Sequence, residues 1–308
     1  MKSLKKNNII IGVDGGGTKT EAIVADADLN ILNRGLSGPA NLRNVDTLTA
    51  VENISRAIDL AMESISGVPQ SVVIGLPAIK EEFSSGVADF KKELFKKGIF
   101  RRVSRNNVHI VSDQEIAFRS GTDGNDGILV ISGTGAVVRG WRSKKDIKVS
   151  GWGYFADEGS AFWVGIKAYQ AITRAFDGRA KNTDITRNAK KIFMFKNAIE
   201  LNRIVYNDFK KVIPELSIAV DNSAKNGDSV AIEILKEGAG ELALGVNLVI
   251  DKLNFKKQFP VVMVGGMFKS VIFKKEFQRL VKDKNAIFVL PNDTPAIGAL
   301  KIAKKKWI

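Results

Sequence analysis

The chain has 308 residues, and 47 lysines and arginines against 33 aspartates and glutamates give a formal charge of +14 at neutral pH. It contains no cysteine and one histidine, His109. That composition excludes disulfides, thiolate catalysis and cysteine-ligated zinc or iron–sulfur centres, and it leaves little room for histidine metal sites or a Ser-His-Asp triad.

The basic start "MKSLKKNN" is followed by "IIIGV", too short for a signal-peptide core. No run of about 18 apolar residues predicts a membrane span. A cytoplasmic protein is expected. The stretch "IIIGVDGGGTKTEAIVAD" (residues 9–26) then places Gly15, Gly16 and Gly17 between two apolar runs. A plain hairpin turn is one reading, because glycine tolerates positive φ. Three consecutive glycines exceed that need, and they leave backbone N–H groups open to form an anion-binding nest. Thr18 and Lys19 add a hydroxyl and a cation, so the segment predicts a phosphate cradle. Gly12 and Gly17 have P-loop spacing, but Thr18 stands where a P-loop needs lysine, and a strand follows instead of a helix.

Apolar residues at helical spacing predict a helix over 45–65, and "SVVIGLPA" (71–78) a buried strand. "FSSGVADFKKELFKKG" reads as a helix and "NVHIVSD" as a strand ending in Asp113, with a helix in "QEIAFRSG". The pattern restarts at "GILVISGTGAVVRGW" (127–141): apolar strand, Gly133-Thr134-Gly135 turn, apolar strand. Residues 160–250 are mainly helical in pattern. "FPVVMVGGMFKS" (259–270) runs a strand into Gly265 and Gly266, and "TPAIGALKIAKKK" closes the chain as a helix, with Gly298 suited to close packing. This is α/β organisation in two related halves. The first is expected to hold residues 1–112 with the last helix (296–308), the second 113–295. The basic residues are scattered ("KKELFKKGIFRRVSR", "KKIFMFK", "KKK") and lack an aromatic stacking pattern. They read as solvated surface, so no nucleic-acid partner is expected.

Four motifs in order, "VDGGGTKT", "ISGTGA", "GWGYFADEGSAFWVG" and "VGGMFKS", resemble the BadF/BadG/BcrA/BcrD ATPase family. Within it the sequence is most similar to N-acetylglucosamine kinases and archaeal hexokinases of the actin-like ATPase superfamily. The resemblance implies an α/β fold of two ribonuclease-H-like domains around a central cleft. It also implies ATP and Mg²⁺ as cofactors, a homodimer, and phosphoryl transfer to a sugar hydroxyl. Gly15–Lys19 and Gly133–Gly135 would then clamp the phosphates. Asp14, at the end of its strand, suits outer-shell contact with Mg²⁺, or it caps its own loop. Asp113 is either a helix cap or, as the family implies, the general base. The resemblance assigns Asp157, Trp152 and Asn41 to the sugar. The bare sequence also allows a helix start at Asp157 with Glu158 and Ser160, and a turn at Asn41. Gly265 and Gly266 would lie against adenine, or form a simple strand–helix turn.

Three departures concern the acceptor pocket. The Trp152–Asp157 spacing is one residue short of the family expectation, "GLPAIKEEF" lacks its glycine stretch, and Arg43 could meet a carboxylate bidentately. A hexose or N-acetylhexosamine is the expected acceptor. The alternatives are a sugar acid such as 2-keto-3-deoxygluconate, or a nucleotide switch without kinase activity. Dehydratase activators of the wider family need cysteines that this chain lacks.

Overall fold

The structure is a computed structural model that describes residues 8–77 and 86–307. The altered part of "GLPAIKEEF" falls largely at residues 78–83, outside the described residues. The chain divides into two compact units, residues 1–124 with 291–308, and residues 125–290.

The first unit is built on a five-stranded sheet of order β3-β2-β1-β4-β5. Its strands are β1 (Ile9–Gly15), β2 (Thr20–Asp26), β3 (Ile31–Ser37), β4 (Ser71–Leu76) and β5 (Val108–Ser112). β1, β2 and β3 run antiparallel as a meander, and β4 and β5 continue parallel to β1. Both faces of the central strands are covered, so β1 reads as an unbroken apolar run. Alternate residues split between two cores. Ile9, Ile11, Val13, Val72 and Ile74 pack with Ile54 and Ile58 of α1 (Thr47–Ala61) and with Phe90 of α2 (Val87–Leu94). Ile10, Ile23 and Val73 pack instead with Ile116 of α3 (Asp113–Ser120) and with Ala296 and Leu300 of α10 (Pro295–Trp307).

α10 approaches very closely. A Cβ on Gly12 would lie 2.3 Å from the Ala296 carbonyl, and one on Gly298 would lie 1.9 Å from the Ile116 carbonyl. A side chain at Gly12 would force α10 off the sheet, and one at Gly298 would force it off α3. α3, expected to open the second domain, therefore belongs to the first unit.

The second unit repeats the topology, with order β10-β9-β6-β7-β8. β6 (Gly127–Ser132), β7 (Ala136–Arg142) and β8 (Lys145–Ser150) form the antiparallel meander, and β9 (Phe259–Val264) and β10 (Ala286–Val289) run parallel to β6. Five helices separate β8 from β9: α4 (Ala161–Phe176), α5 (Asp184–Phe193), α6 (Ala198–Asn207), α7 (Phe209–Lys225) and the long α8 (Ser229–Leu253). α9 (Val271–Leu280) follows β9. The predicted helical region is observed. Ile128, Val130 and Val138 share one core with Leu242, Val246 and Val249 of α8 and with Phe273 and Phe277 of α9. No helix among the described residues is long and apolar enough to cross a membrane.

Candidate functional site

In the first unit the candidate groups gather at the C-terminal ends of parallel strands β1 and β5, where α/β sheets bind ligands. β1 and β2 pair through Gly15 opposite Thr20. The loop between them is closed by the Gly16 N–H donating to the Lys19 carbonyl at 3.0 Å, and it leaves Gly17, Thr18 and Lys19 exposed. A second segment braces it. The Ala40 and Asn41 N–H groups both donate to the Gly16 carbonyl, at 3.0 and 3.2 Å. Asn44 Nδ2 donates to the Gly17 carbonyl at 3.4 Å, and the Thr20 hydroxyl donates to the Gly38 carbonyl at 2.7 Å. Asn41 Oδ1 accepts from the Arg43 N–H at 3.0 Å, which makes an Asx turn and leaves Arg43 exposed. The expected phosphate loop and the expected acceptor residues Asn41 and Arg43 thus form one hydrogen-bonded assembly.

Asp14 and Asp113 stand close enough to feel each other's charge. Burial first, then the negative charges of Asp113 and Glu21, push the Asp14 carboxyl up to about 6, against the lowering pull of Lys19. Asp113 is the first residue of α3, not the last of β5. Ser112 takes the cap position, with its hydroxyl accepting from the Gln114 N–H at 3.2 Å. Asp113 Oδ1 accepts from the same N–H at 2.9 Å. No group of three or more metal-ligating side chains exists among the described residues. A carboxylate destabilised by burial, as Asp14 is, nevertheless suits Mg²⁺, which takes one or two carboxylates and completes its shell with phosphates and water.

In the second unit the β6–β7 hairpin turns at Gly133-Thr134-Gly135, with the Gly133 N–H donating to the Gly135 carbonyl at 3.0 Å. The carbonyls of Gly133 and Thr134 accept from Ala161 and Phe162 at the start of α4, at 2.8 and 3.4 Å. The Ser132 hydroxyl donates to the Gly159 carbonyl at 2.7 Å. Gly265 lies alongside, with φ at +115° and no room for a Cβ, which would fall 2.1 Å from the Ser132 carbonyl. Gly265 and Gly266 are exposed beside the hairpin.

Asp157 departs from expectation. It is only 5% exposed. Its Oδ1 accepts from the N–H groups of Trp152 (2.8 Å) and Gly153 (3.2 Å) and from the Ser150 hydroxyl (3.4 Å). Its Oδ2 accepts from the Ala136 N–H at 3.3 Å. The carboxylate ties the Trp152 loop to the hairpin. Ser160 caps α4 through the Trp163 N–H at 3.1 Å, so the helix start expected in the Asp157, Glu158 and Ser160 segment is observed. Trp152 is 82% exposed, with Lys148 Nζ 5.8 Å from its ring centre.

Comparison with known proteins agrees with this arrangement. The family described as the BadF/BadG/BcrA/BcrD ATPase family matches residues 11–303. The N-acetylmuramic acid/N-acetylglucosamine kinase of Clostridium acetobutylicum is 30% identical over 96% of this chain and 98% of its own length. The N-acetyl-D-glucosamine kinase of Dictyostelium discoideum is 26% identical over 96% and 97%. Among solved structures, a candidate N-acetylglucosamine kinase from Chromobacterium violaceum shares the fold at a TM-score of 0.74 and 20% identity, covering 97% of this chain and 99% of that one. A ROK family glucokinase from Streptomyces griseus, solved with glucose and AMPPNP, does so at 0.57 and 16%, covering 96% and 99%. The expected two-domain actin-like ATPase fold is therefore observed. With the Gly-rich hairpins in their places and a match running nearly from end to end, this chain belongs to the BadF/BadG/BcrA/BcrD ATPase family.

Proposed function

We propose that the protein is an ATP-dependent kinase of N-acetylhexosamines. The observation that carries the reading is the placement of Asp14 near the end of β1 and Asp113 directly after β5, both at the C-terminal edge of the first sheet that bears the Gly-rich hairpin. Relatives named as N-acetylhexosamine kinases over nearly the whole chain support the acceptor class.

Gly15–Lys19 and Gly133–Gly135 each bind nucleotide phosphates through backbone N–H groups, with the Thr18 and Thr134 hydroxyls and the Lys19 ammonium adding to them. Gly265 and Gly266 offer flat backbone to adenine. Asp14 would hold the Mg²⁺ that accompanies ATP, and the ion would supply shielding of the phosphate charge. Asp113 accepts the proton of the acceptor hydroxyl as its oxygen bonds to the γ-phosphorus and the bond to the ADP oxygen breaks. Trp152 and Asn41 line the acceptor side, and Asp157 holds the Trp152 loop in place without touching sugar.

A carboxylate-bearing amino sugar is a second acceptor. It is favoured by the exposed Arg43, which stands on the same braced segment as Asn41. The deciding measurement is kcat/KM for N-acetylglucosamine, N-acetylmuramic acid, glucose and 2-keto-3-deoxygluconate side by side. N-acetylhexosamines should lead by at least about tenfold, the scale of one good hydrogen-bonded contact. Arg43→Ala should raise KM for the muramic acid about 10- to 100-fold and leave N-acetylglucosamine unchanged. Turnover confined to the keto acid, or none with any of the four, overturns the proposal.

A further inference from the structure

α1 lies along β3 in a fixed register. Asn33 Nδ2 donates to the Leu60 carbonyl at 3.3 Å, and a Cβ on Gly35 would lie 2.0 Å from the Ala57 carbonyl. Helix and strand run in opposite directions at this contact. One helical turn before Ala57, Asn53 therefore meets the chain at the end of β3 and just beyond it. There its amide makes two bonds at once. Nδ2 donates to the Pro39 carbonyl at 2.7 Å, and Oδ1 accepts from the Ser37 hydroxyl at 3.3 Å. Asparagine is a poor residue for the interior of a 15-residue helix, because its amide competes for local backbone groups. Here the amide is spent on a separate segment instead.

Gly38 lies between the two bonded residues. A Cβ there would fall 2.9 Å from Asn53 Nδ2 and 3.0 Å from Oδ1, so any side chain at this position would displace the amide from its partners. The Gly38 carbonyl accepts from the Thr20 hydroxyl, at the β2 end of the Gly-rich hairpin, at 2.7 Å. The next two N–H groups, of Ala40 and Asn41, close on the Gly16 carbonyl inside that hairpin. Residues 37–41 are thus held by α1 on one side and hold the hairpin on the other. Asn41, on the acceptor side, is the last residue of that bridge.

We infer that Asn53 is a positioning residue: by fixing residues 37–39 it sets the Gly-rich hairpin against Asn41, so that phosphates and acceptor are gripped by one rigid piece. The acceptor half of this inference rests on the proposed kinase reading.

The test pairs steady-state kinetics, with ATP and N-acetylglucosamine, with calorimetric titration by ADP and Mg²⁺, which needs no acceptor. Asn53→Ala leaves the Pro39 carbonyl and the Ser37 hydroxyl without their partner, while alanine favours the helix itself. It should weaken ADP binding and raise KM for the sugar, each about tenfold, with kcat within about threefold of the parent. Asn53→Asp keeps the acceptor for Ser37 but loses the donor to Pro39, and should be no better. Gly38→Ala should reproduce the loss by displacing the amide. In the double variant Gly38→Ala with Asn53→Ala the methyl meets no amide, so the two effects should not add. A lowered urea midpoint with ADP affinity and KM at the parent values, or full additivity in the double variant, overturns the inference. Absence of sugar turnover in the parent removes the kinase reading instead. ADP titration then decides alone: weaker binding by Asn53→Ala supports the positioning role, and unchanged binding overturns it.

Discussion

The two units share strand order and a Gly-rich turn in the same place, yet they secure that turn differently. In the first, the loop is held from the side: Ala40, Asn41 and Asn44 bond to its carbonyls, and charged groups surround it. In the second, the loop sits on the first N–H groups of α4 and on the Asp157 carboxylate, and the turn itself carries no ionisable side chain. A duplicated scaffold can thus hold the same backbone shape by two unrelated networks. We propose that this difference places reactivity at the first hairpin and rigidity at the second.

The sharpest way to break that assignment is Asp113→Asn. The substitution removes the proton acceptor while keeping an oxygen for the Gln114 N–H. Loss of a placed general base should lower kcat about 10²- to 10⁴-fold. Steady-state ADP release, with nucleotide affinity measured alongside, checks it. Near-parental turnover would return Asp113 to a purely structural place at the start of α3.

Asp14→Asn should cut activity and at the same time stabilise the fold. A carboxyl whose folded-state value is raised from 3.8 to about 6 binds its proton more tightly when folded than when unfolded. Its ionisation therefore costs stability, progressively as pH climbs through that window, and in full above it. Removing the charge should recover about 3 kcal/mol at pH 7.5 in metal-free buffer, and almost nothing near pH 3, where both forms are neutral. Urea melts at the two pH values test this, and an equal effect at both would rule out the charge as its cause.

Asp157→Ala leaves the N–H groups of Ala136, Trp152 and Gly153 without their acceptor. It should destabilise the protein by about 1–3 kcal/mol. Hydrogen exchange should quicken at those amides. An unchanged urea midpoint would show that the second hairpin does not depend on this carboxylate.

Much of this was legible in the sequence because glycine clusters and apolar runs are local signals. The two hairpins, the helical stretch after residue 160 and the last helix all follow from them. The edge strands were not readable. β3 is mostly exposed, β8 ("KDIKVS") has no fully buried residue, and β10 has four residues, so none carries a buried alternation. The role of Asp157 was hidden because its partners are backbone N–H groups from two separate loops, which leave no mark on residue identity. The division near residue 112 was misplaced for a similar reason. α3 is fixed to the first unit by Gly298, distant in sequence, and a close backbone approach has no periodicity to detect.

That close approach also orders events on the ribosome. One face of the first sheet, with Ile10, Ile23 and Val73, is covered by α10. The contact from Lys305 back to Asp123 spans 182 residues. At translation speeds of 5–20 residues per second, the gap lasts on the order of 10–40 s. The second unit, continuous from 125 to 290, leaves the exit tunnel whole before the first unit has its last helix. The half of the protein that is made first is therefore completed last. Until then its nascent sheet carries an uncovered apolar face, the kind of surface that chaperones shield.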